Sequence, residues 1–202
     1  MRRVYRKKER YTKDDAYKSL ESINNWINNS DMKSSIMLGI IGVLITVIFS
    51  NGNIVSQYIK IFEKAIANLK CLDIIYLLLT ILSFIVILLG IFHLIKVLLP
   101  TLSIKEQSNK QSILYFGSIG QYKDNKSFIA TVKHQSENEV LDGILEQIYI
   151  NSTICTKKFN SFKLGFKLFM LGFSFNVILF ILGTIIYLWG EWDDLWLQRK
   201  KR

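Results

Sequence analysis

The sequence predicts an all-α membrane protein with three transmembrane helices, a mainly helical cytoplasmic region, and a long helix that continues from that region into the last span. Half of the 202 residues are apolar although 21% are charged, so the two classes must be segregated along the chain. Residues 34–59, 74–95 and 168–190 contain no Asp, Glu, Lys or Arg. A helix needs about 20 such residues to cross about 30 Å of hydrocarbon, and a lone segment can satisfy its backbone in lipid only as a helix.

These uncharged stretches divide the chain into seven segments. We predict transmembrane helices at residues 34–52, 73–96 and 164–190. The remaining segments are a cytoplasmic basic tail with an amphipathic helix (1–33), a short extracytoplasmic loop (53–72), a cytoplasmic sensing and coupling region (97–163) and an extracytoplasmic tail (191–202).

The distribution of Lys and Arg predicts the orientation, because cytoplasmic segments carry the excess of these residues. Residues 1–33 contain nine and residues 96–158 contain eight, against three in 51–72 and four in 190–202. We therefore expect a multi-pass protein of the bacterial inner (cell) membrane with a cytoplasmic N-terminus. The net charge of +10 is typical of segments beside anionic lipid, and no nucleic-acid polymer is expected as a partner.

Two amphipathic helices are predicted outside the spans. Thr12 and Asp15 resemble a capping box, and apolar residues follow them at helical spacing: Ala16, Leu20, Ile23 and Ile27. Between the first two spans we predict a short interfacial helix whose apolar face is formed by Tyr58, Phe62, Ala65, Leu69 and Leu72.

Pro100 is expected to end the helix of the second span, because proline cannot continue the backbone hydrogen-bond ladder. The residues that follow show weaker periodicity. Residues 112–119 read as a short strand or a buried turn, and residues 124–134 read as helical.

A long stripe with alternating spacings of four and three residues begins in the cytoplasmic region and continues through the third span without a proline. One unbroken helix should therefore begin near Val140. The stripe either packs against the other spans of the same chain or is shared with a neighbouring subunit in a homo-oligomer. Its members are Leu141, Leu145, Ile148, Ser152, Cys155, Phe159, Phe162, Phe166, Phe169, Phe173, Asn176, Phe180 and Gly183.

Asn176 lies on this stripe, well inside the third span. An amide in hydrocarbon needs a hydrogen-bonding partner, and such bonds between helices stabilise by about 0.6–2 kcal/mol. Two roles are open for Asn176: it fixes the packing of the helices, or it faces a water path.

No signature of an enzyme is present. The chain has no phosphate-binding glycine loop, no metalloprotease motif and no nucleophile elbow, so we expect no catalytic residues and no cofactor. His93 and His134 are too few for a histidine-rich metal site, and Cys71 and Cys155 lack the spacing of a zinc site.

The cytoplasmic region has the composition of a weak candidate site for a small anion. Aromatic rings stack on bases, and Lys side chains attract phosphate. The candidate ligand contacts are Lys105, Lys110, Tyr115 and Lys123. The alternative is a solvated positive loop beside the lipid surface.

Two stretches carry a resemblance to a known family. WINNSDMKSS (residues 26–35, the first motif) matches a tryptophan followed by D-x-K-A-S at the start of a first span. QIYINSTICTKKF (residues 147–159, the second motif) matches a Q-I-x-x-x-S-x-I-x-x-K-[YF] segment before a last span. Both resemble the transmembrane effectors of Pycsar antiphage systems, over roughly residues 20–182.

The resemblance implies which residues of this chain form each motif. Ser34 departs from the pattern, since alanine is usual there. The first motif comprises Asp31, Lys33 and Ser35, and the second comprises Gln147, Ile148, Ser152, Ile154, Lys158 and Phe159. If both motifs lie at the inner interface, Asp31 can pair with Lys158 or Lys157 and link the N-terminal helix to the long helix.

The resemblance also implies a function. In such systems a cognate cyclase makes a cyclic pyrimidine mononucleotide, cUMP or cCMP, on infection, and the membrane effector then impairs membrane integrity in an abortive infection. The lipid bilayer, the nucleotide and further copies of the chain are the expected partners. Two alternatives are a holin-like protein that acts without a ligand and a membrane scaffold for a cytoplasmic partner.

Overall fold

The protein is all-α in the computed structural model, which describes residues 11–68, 70–100 and 112–189. Within those ranges there is no β-strand. The elements are six α-helices followed by a π-helical segment: α1 (Lys13–Ser50), α2 (Gly52–Asn68), α3 (Cys71–Leu98), α4 (Phe116–Ile119), α5 (Asn125–His134), α6 (Glu137–Gly183) and the π-helical segment (Thr184–Trp189).

Three helices are long and apolar enough to cross a membrane. They are α1, α3 and the continuous helical stretch Glu137–Tyr187, which comprises α6 and most of the π-helical segment. This confirms the prediction of three helices that could span a membrane. It also confirms that one helix, which begins at Glu137, runs unbroken into the last span.

The chain forms two compact units. The first, here the polar unit, comprises residues 1–31 and 100–159, and the second, the membrane unit, comprises residues 32–99 and 160–202. Both α1 and α6 contribute residues to both units. The two long helices are therefore each shared between the units, whereas α3 belongs to the membrane unit alone.

Local signals in the sequence explain where the helices begin and end. At the start of α1, the Asp15 backbone N–H donates to Thr12 Oγ1 at 3.2 Å and the Thr12 N–H donates to the Asp15 carboxylate at 3.0 Å, which confirms the predicted capping box. These bonds lower the pKa of Asp15. A second capping box between Asp124 and Ser127 begins α5, and α3 ends at Leu98, two residues before Pro100.

Two alternatives for the region after Pro100 are now decided. Residues 112–115 form irregular turns and residues 116–119 a single helical turn, so the short-strand reading is wrong. The helical reading of residues 124–134 is confirmed by α5.

Glycines let α3 approach the last span closely in the membrane unit. A Cβ atom on Gly90 would lie 2.5 Å from the backbone nitrogen of Phe169, and one on Gly172 would lie 2.9 Å from the backbone nitrogen of Ile87. A Cβ on Gly165 would lie 2.9 Å from the carbonyl oxygen of Gly90. We call Gly90, Gly165 and Gly172 the glycine seam. Small residues are typical of helix contacts in membranes, where close packing replaces the hydrophobic effect.

The prediction that the whole stripe of α6 packs against the other spans of the same chain is partly wrong. Phe169, Asn176 and Gly183 are buried as expected, but Leu145 and Phe166 are 40% and 42% exposed. The buried face instead includes Ile144, Gln147, Lys158, Gly165, Gly172 and Leu179. The physical reason is that apolar size marks lipid-facing as well as buried positions in a span, whereas close helix contacts select small residues.

The predicted helix between the first two spans forms, but its apolar face differs, and its interfacial position remains a prediction. Helix α2 ends at Asn68, and Leu72 lies at the start of α3 with 79% of its surface exposed. The fully buried residues of α2 are Ile61 and Ala65, which pack with Tyr76 and Leu179. Leu69 lies outside the described residues.

Candidate functional site

The two motifs meet at an ion pair between α1 and α6. The Lys158 ammonium lies 2.5 Å from the Asp31 carboxylate, while Lys157 is exposed. The Lys158 side chain is 8% exposed and the Asp31 side chain 36%. Because the ammonium is largely removed from water, the opposite charge of the carboxylate stabilises it, and removing Asp31 takes that charge away from a buried site.

Two further contacts join the same helices within the polar unit. The rings of Trp26 and Phe159 lie 6.1 Å apart between centroids at an angle of 60°. The Asn151 side-chain amide donates to Asn24 Oδ1 at 2.8 Å. The first motif thus contacts the second through one aromatic pair and one ion pair. The hydrogen bond between the two side-chain amides lies seven residues before the ion pair on each helix.

The other motif residues have different environments. Gln147 is buried, Ile148 is half-buried, and Ser152 donates to the Ile148 carbonyl oxygen at 2.7 Å within α6. Lys33 and Ser35 are exposed. The resemblance therefore marks positions of more than one kind, and only some of them lie at the α1–α6 contact.

Ser34, which departs from the motif pattern, is fully buried and donates to the carbonyl oxygen of Leu94 at 2.7 Å. The resemblance to the motif did not predict a role for Ser34. The signal was present in the spacing, because Ser30 and Ser34 continue the series begun by Ala16, Leu20, Ile23 and Ile27 along one face of α1.

The candidate ligand contacts are only partly described. Tyr115 is half-buried immediately before α4, and Lys123 is exposed in the turn that precedes α5. Lys105 and Lys110 lie outside the described residues. The assignment of all four to a ligand remains a prediction.

A line of polar side chains is buried in the membrane unit and was largely missed by sequence reasoning. Asp73, Tyr76, Thr80 and Ser83 lie on one face of α3 and are all buried. Asn176 of the last span, also buried, lies beside Ser83. We call these five residues the polar line. The available signal was their spacing of three, four and three residues along α3. It was hidden because the span was identified by its hydrophobicity alone.

Asn176 has both sides of its amide paired. Its Oδ1 accepts a hydrogen bond from the Tyr58 hydroxyl of α2 at 2.7 Å, and its Nδ2 donates to Ser83 Oγ at 2.9 Å. Ser83 Oγ donates to the Thr80 carbonyl oxygen at 2.8 Å. Asn176 therefore joins three elements of the membrane unit, as the packing interpretation of this residue requires.

The end of the polar line opposite Asn176 contains a carboxylate. Asp73 accepts hydrogen bonds from the Lys70 backbone N–H at 3.0 Å and from the Tyr187 hydroxyl. The Lys64 ammonium donates to the Tyr187 carbonyl oxygen at 2.8 Å, so a positive charge lies at the same end. Tyr76 donates to the Leu179 carbonyl oxygen at 3.1 Å, next along the line.

The chain is similar to known proteins over most of its length. The profile of the Pycsar effector protein domain matches residues 15–187. The Pycsar effector protein GmPycTM of Gulbenkiania mobilis is 34% identical over an alignment of 167 residues that covers 76% of this chain and 83% of that protein. No solved structure matches the chain.

Proposed function

Since the chain belongs to the Pycsar effector family and is therefore an antiphage defence effector with three membrane-competent helices, we propose that a cyclic pyrimidine mononucleotide, cUMP or cCMP, activates it to impair membrane integrity. The proposed site of action is the bacterial inner membrane, with the N-terminus in the cytoplasm. The outcome for the cell is abortive infection.

The observation that carries this proposal is that α1 and α6 are each shared between the polar unit and the membrane unit. A ligand bound to the polar unit has two uninterrupted helices through which to act on the spans. The ligand shifts the resting and active states only by its difference in affinity for them. A binding event that changes the contact between α1 and α6 is therefore the required step.

The ion pair between Asp31 and Lys158 is proposed as the latch of the resting contact. The Lys158 side chain is mostly shielded from solvent, and the Trp26–Phe159 ring contact joins the same two helices. A change in the spacing of α1 and α6 would therefore expose a charge and separate two rings. Tyr115 and Lys123, with Lys105 and Lys110 beyond the described residues, are proposed as ligand contacts. Homo-oligomerisation on activation completes the proposal.

The membrane potential of bacterial cells tests the proposal. The full chain is expressed alone, with a cyclase that makes cUMP, and with one that makes cCMP, and a potential-sensitive dye is followed. We expect depolarisation with one of the two nucleotides only. Depolarisation without either nucleotide contradicts ligand activation and favours the holin-like alternative. No depolarisation under any condition contradicts membrane impairment and favours the scaffold.

A further inference from the structure

We propose that the membrane lesion is an ion-conducting path along the polar line, and that the glycine seam closes this path in the resting state. The inference rests on the proposed function, because it specifies how the activated protein impairs the membrane. It excludes a general disruption of the bilayer in which no particular side chain contacts the permeating ion.

The position of the polar line supports a path. Polar and ionisable side chains inside a membrane are costly, and they mark ion pathways or proton relays when they face the protein interior. Asp73 to Ser83 covers ten residue steps of α3, about 15 Å at 1.5 Å per residue. That is about half of the roughly 30 Å hydrocarbon core, and Asn176 lies at its inner end.

The chemistry of the line suits a cation. Asp73 provides a carboxylate, Thr80 and Ser83 provide hydroxyl oxygens, and Asn176 provides an amide oxygen. Oxygen ligands of this kind replace water around a cation in selectivity filters. In the structure these groups are engaged by neighbours, as Tyr58 with Asn176 and Tyr187 with Asp73 illustrate, so conduction requires that water replace these bonds.

The other half of the same helix contact is closed by backbone. Around Gly90, Gly165 and Gly172 the two helices are too close for a Cβ atom, which leaves no room for water between them. A small separation of α3 from the last span would open this half and join it to the polar line. The glycine seam is therefore the closing element, together with the buried Leu94 side chain that lies beside Gly165.

The charges at the Asp73 end of the polar line predict the ion selectivity. Asp73 accepts a hydrogen bond from the Tyr187 hydroxyl, and the Lys64 ammonium donates to the Tyr187 carbonyl oxygen. Residues 74–95 and 168–189 add no charge. The carboxylate is on α3 itself, facing the last span, so a cation preference is expected. Replacing it with an amide leaves the Lys64 charge and moves the preference towards anions.

Planar bilayers containing the purified full chain test the inference, with cUMP and cCMP added in turn and the reversal potential measured in a KCl gradient. We expect a current that prefers K⁺ over Cl⁻. Thr80→Val should lower the conductance severalfold, and Asp73→Asn should shift the reversal potential towards that of Cl⁻. Thr46→Val is the matched control, since Thr46 is exposed on α1 and bonds to its own helix at Gly42.

The outcomes separate the inference from the function on which it rests. A nucleotide-dependent current that is unselective and unchanged in Thr80→Val and Asp73→Asn overturns the polar line as the path while leaving the effector function intact. No current from the wild-type chain with either nucleotide overturns the proposed function itself. Because Asp73→Asn keeps only one of the two oxygens that accept from Tyr187 and from the Lys70 backbone N–H, Ser83→Ala is a second variant whose lowered conductance supports the path if Asp73→Asn does not fold.

Discussion

The spans of α1 and α3 use their glycines in opposite ways. Gly90 of α3 lies against the backbone of Phe169, whereas Gly39 and Gly42 of α1 have nothing within 4 Å of the position a Cβ would occupy. The hydrogen bonds from the Tyr76 hydroxyl to the Leu179 carbonyl oxygen and from Asn176 Nδ2 to Ser83 Oγ add to the contact of α3 with the last span. Within the membrane unit, α3 and the last span therefore form the tightly packed pair.

The span of α1 has a looser place in the same unit. Ile41 is its one buried apolar side chain among the described residues of the span, and it packs with Leu94 and Phe169. Beside it, an apolar cavity of about 680 Å³ extends between α1, α2, α3 and the last span. A helix with few contacts loses little when it moves, so α1 is the span best able to shift when the polar unit changes.

The largest expected effect is that of Gly90→Ala. The new Cβ would meet the Phe169 nitrogen at 2.5 Å and its Cα at 2.9 Å, and backbone cannot rotate away as a side chain can. Overpacking of this kind costs about 1–3 kcal/mol or more. Thermal unfolding in detergent should show a clear loss of stability. Gly39→Ala, the matched control on α1, should leave the melting temperature unchanged; equal shifts for both variants would contradict the comparison.

A second effect should follow from Asn176→Leu. Leucine has a similar size but removes the acceptor of the Tyr58 hydroxyl and the donor to Ser83 Oγ. Because hydrogen bonds in membranes average about 0.6 kcal/mol and reach about 1.7 kcal/mol, a loss of about 1–2 kcal/mol is expected in steric-trap or denaturant unfolding. Thr46→Val on α1 removes a polar group without removing a partner from another helix and should have no measurable effect. An Asn176→Leu protein as stable as wild type would show that the polar line does not hold the pair together.

Reversing either charge of the Asp31–Lys158 ion pair is expected to lower stability by an amount between the effects of Gly90→Ala and Ser34→Ala. Reversing both charges should restore the stability. Asp31→Lys and Lys158→Asp each place like charges together, and the double swap restores an opposite pair. Since Asp31 is about a third exposed, solvent screening reduces the cost of each single change to about 1–3 kcal/mol. Hydrogen exchange of the α1 amides reports the change, and Lys157→Asp is the control at an exposed neighbour.

Failure of the double swap to restore protection would contradict the latch between Asp31 and Lys158. A rescue of protection together with a rescue of nucleotide-dependent depolarisation would tie the pair to activation as well as to stability.

The parts of the fold that were predicted correctly are those that local sequence signals determine. Absence of charge located all three spans, Thr12 and Asp15 located the start of α1, and Pro100 located the end of α3. Each signal acts within a few residues of where it occurs. No knowledge of the neighbouring helix was needed to interpret it.

The face that each span buries was harder to predict, because lipid and protein interior are equally apolar. The sequence stripe placed Phe166 in the contact, but Gly165 is the buried residue. Asn176 was identified because an amide inside a span requires a partner. Asp73 was not, because it lies at the edge of an uncharged stretch and served only to mark the boundary of the span.

Ser34→Ala is expected to have the smallest effect, although Ser34 is fully buried and bonded to Leu94. The Leu94 carbonyl keeps its place in the hydrogen-bond ladder of α3, so no acceptor is stranded, and alanine fills nearly the same volume. A loss of about 0.5–1 kcal/mol is expected, measured by thermal unfolding beside Ser35→Ala at the exposed neighbouring position. Alanine is the usual residue in the motif that this stretch resembles, which is consistent with a contact between α1 and α3 that depends on small size more than on the hydroxyl. A loss as large as that of Gly90→Ala would instead show that α1 is fixed to α3 by this bond, and that the looser packing of α1 does not leave it free to shift.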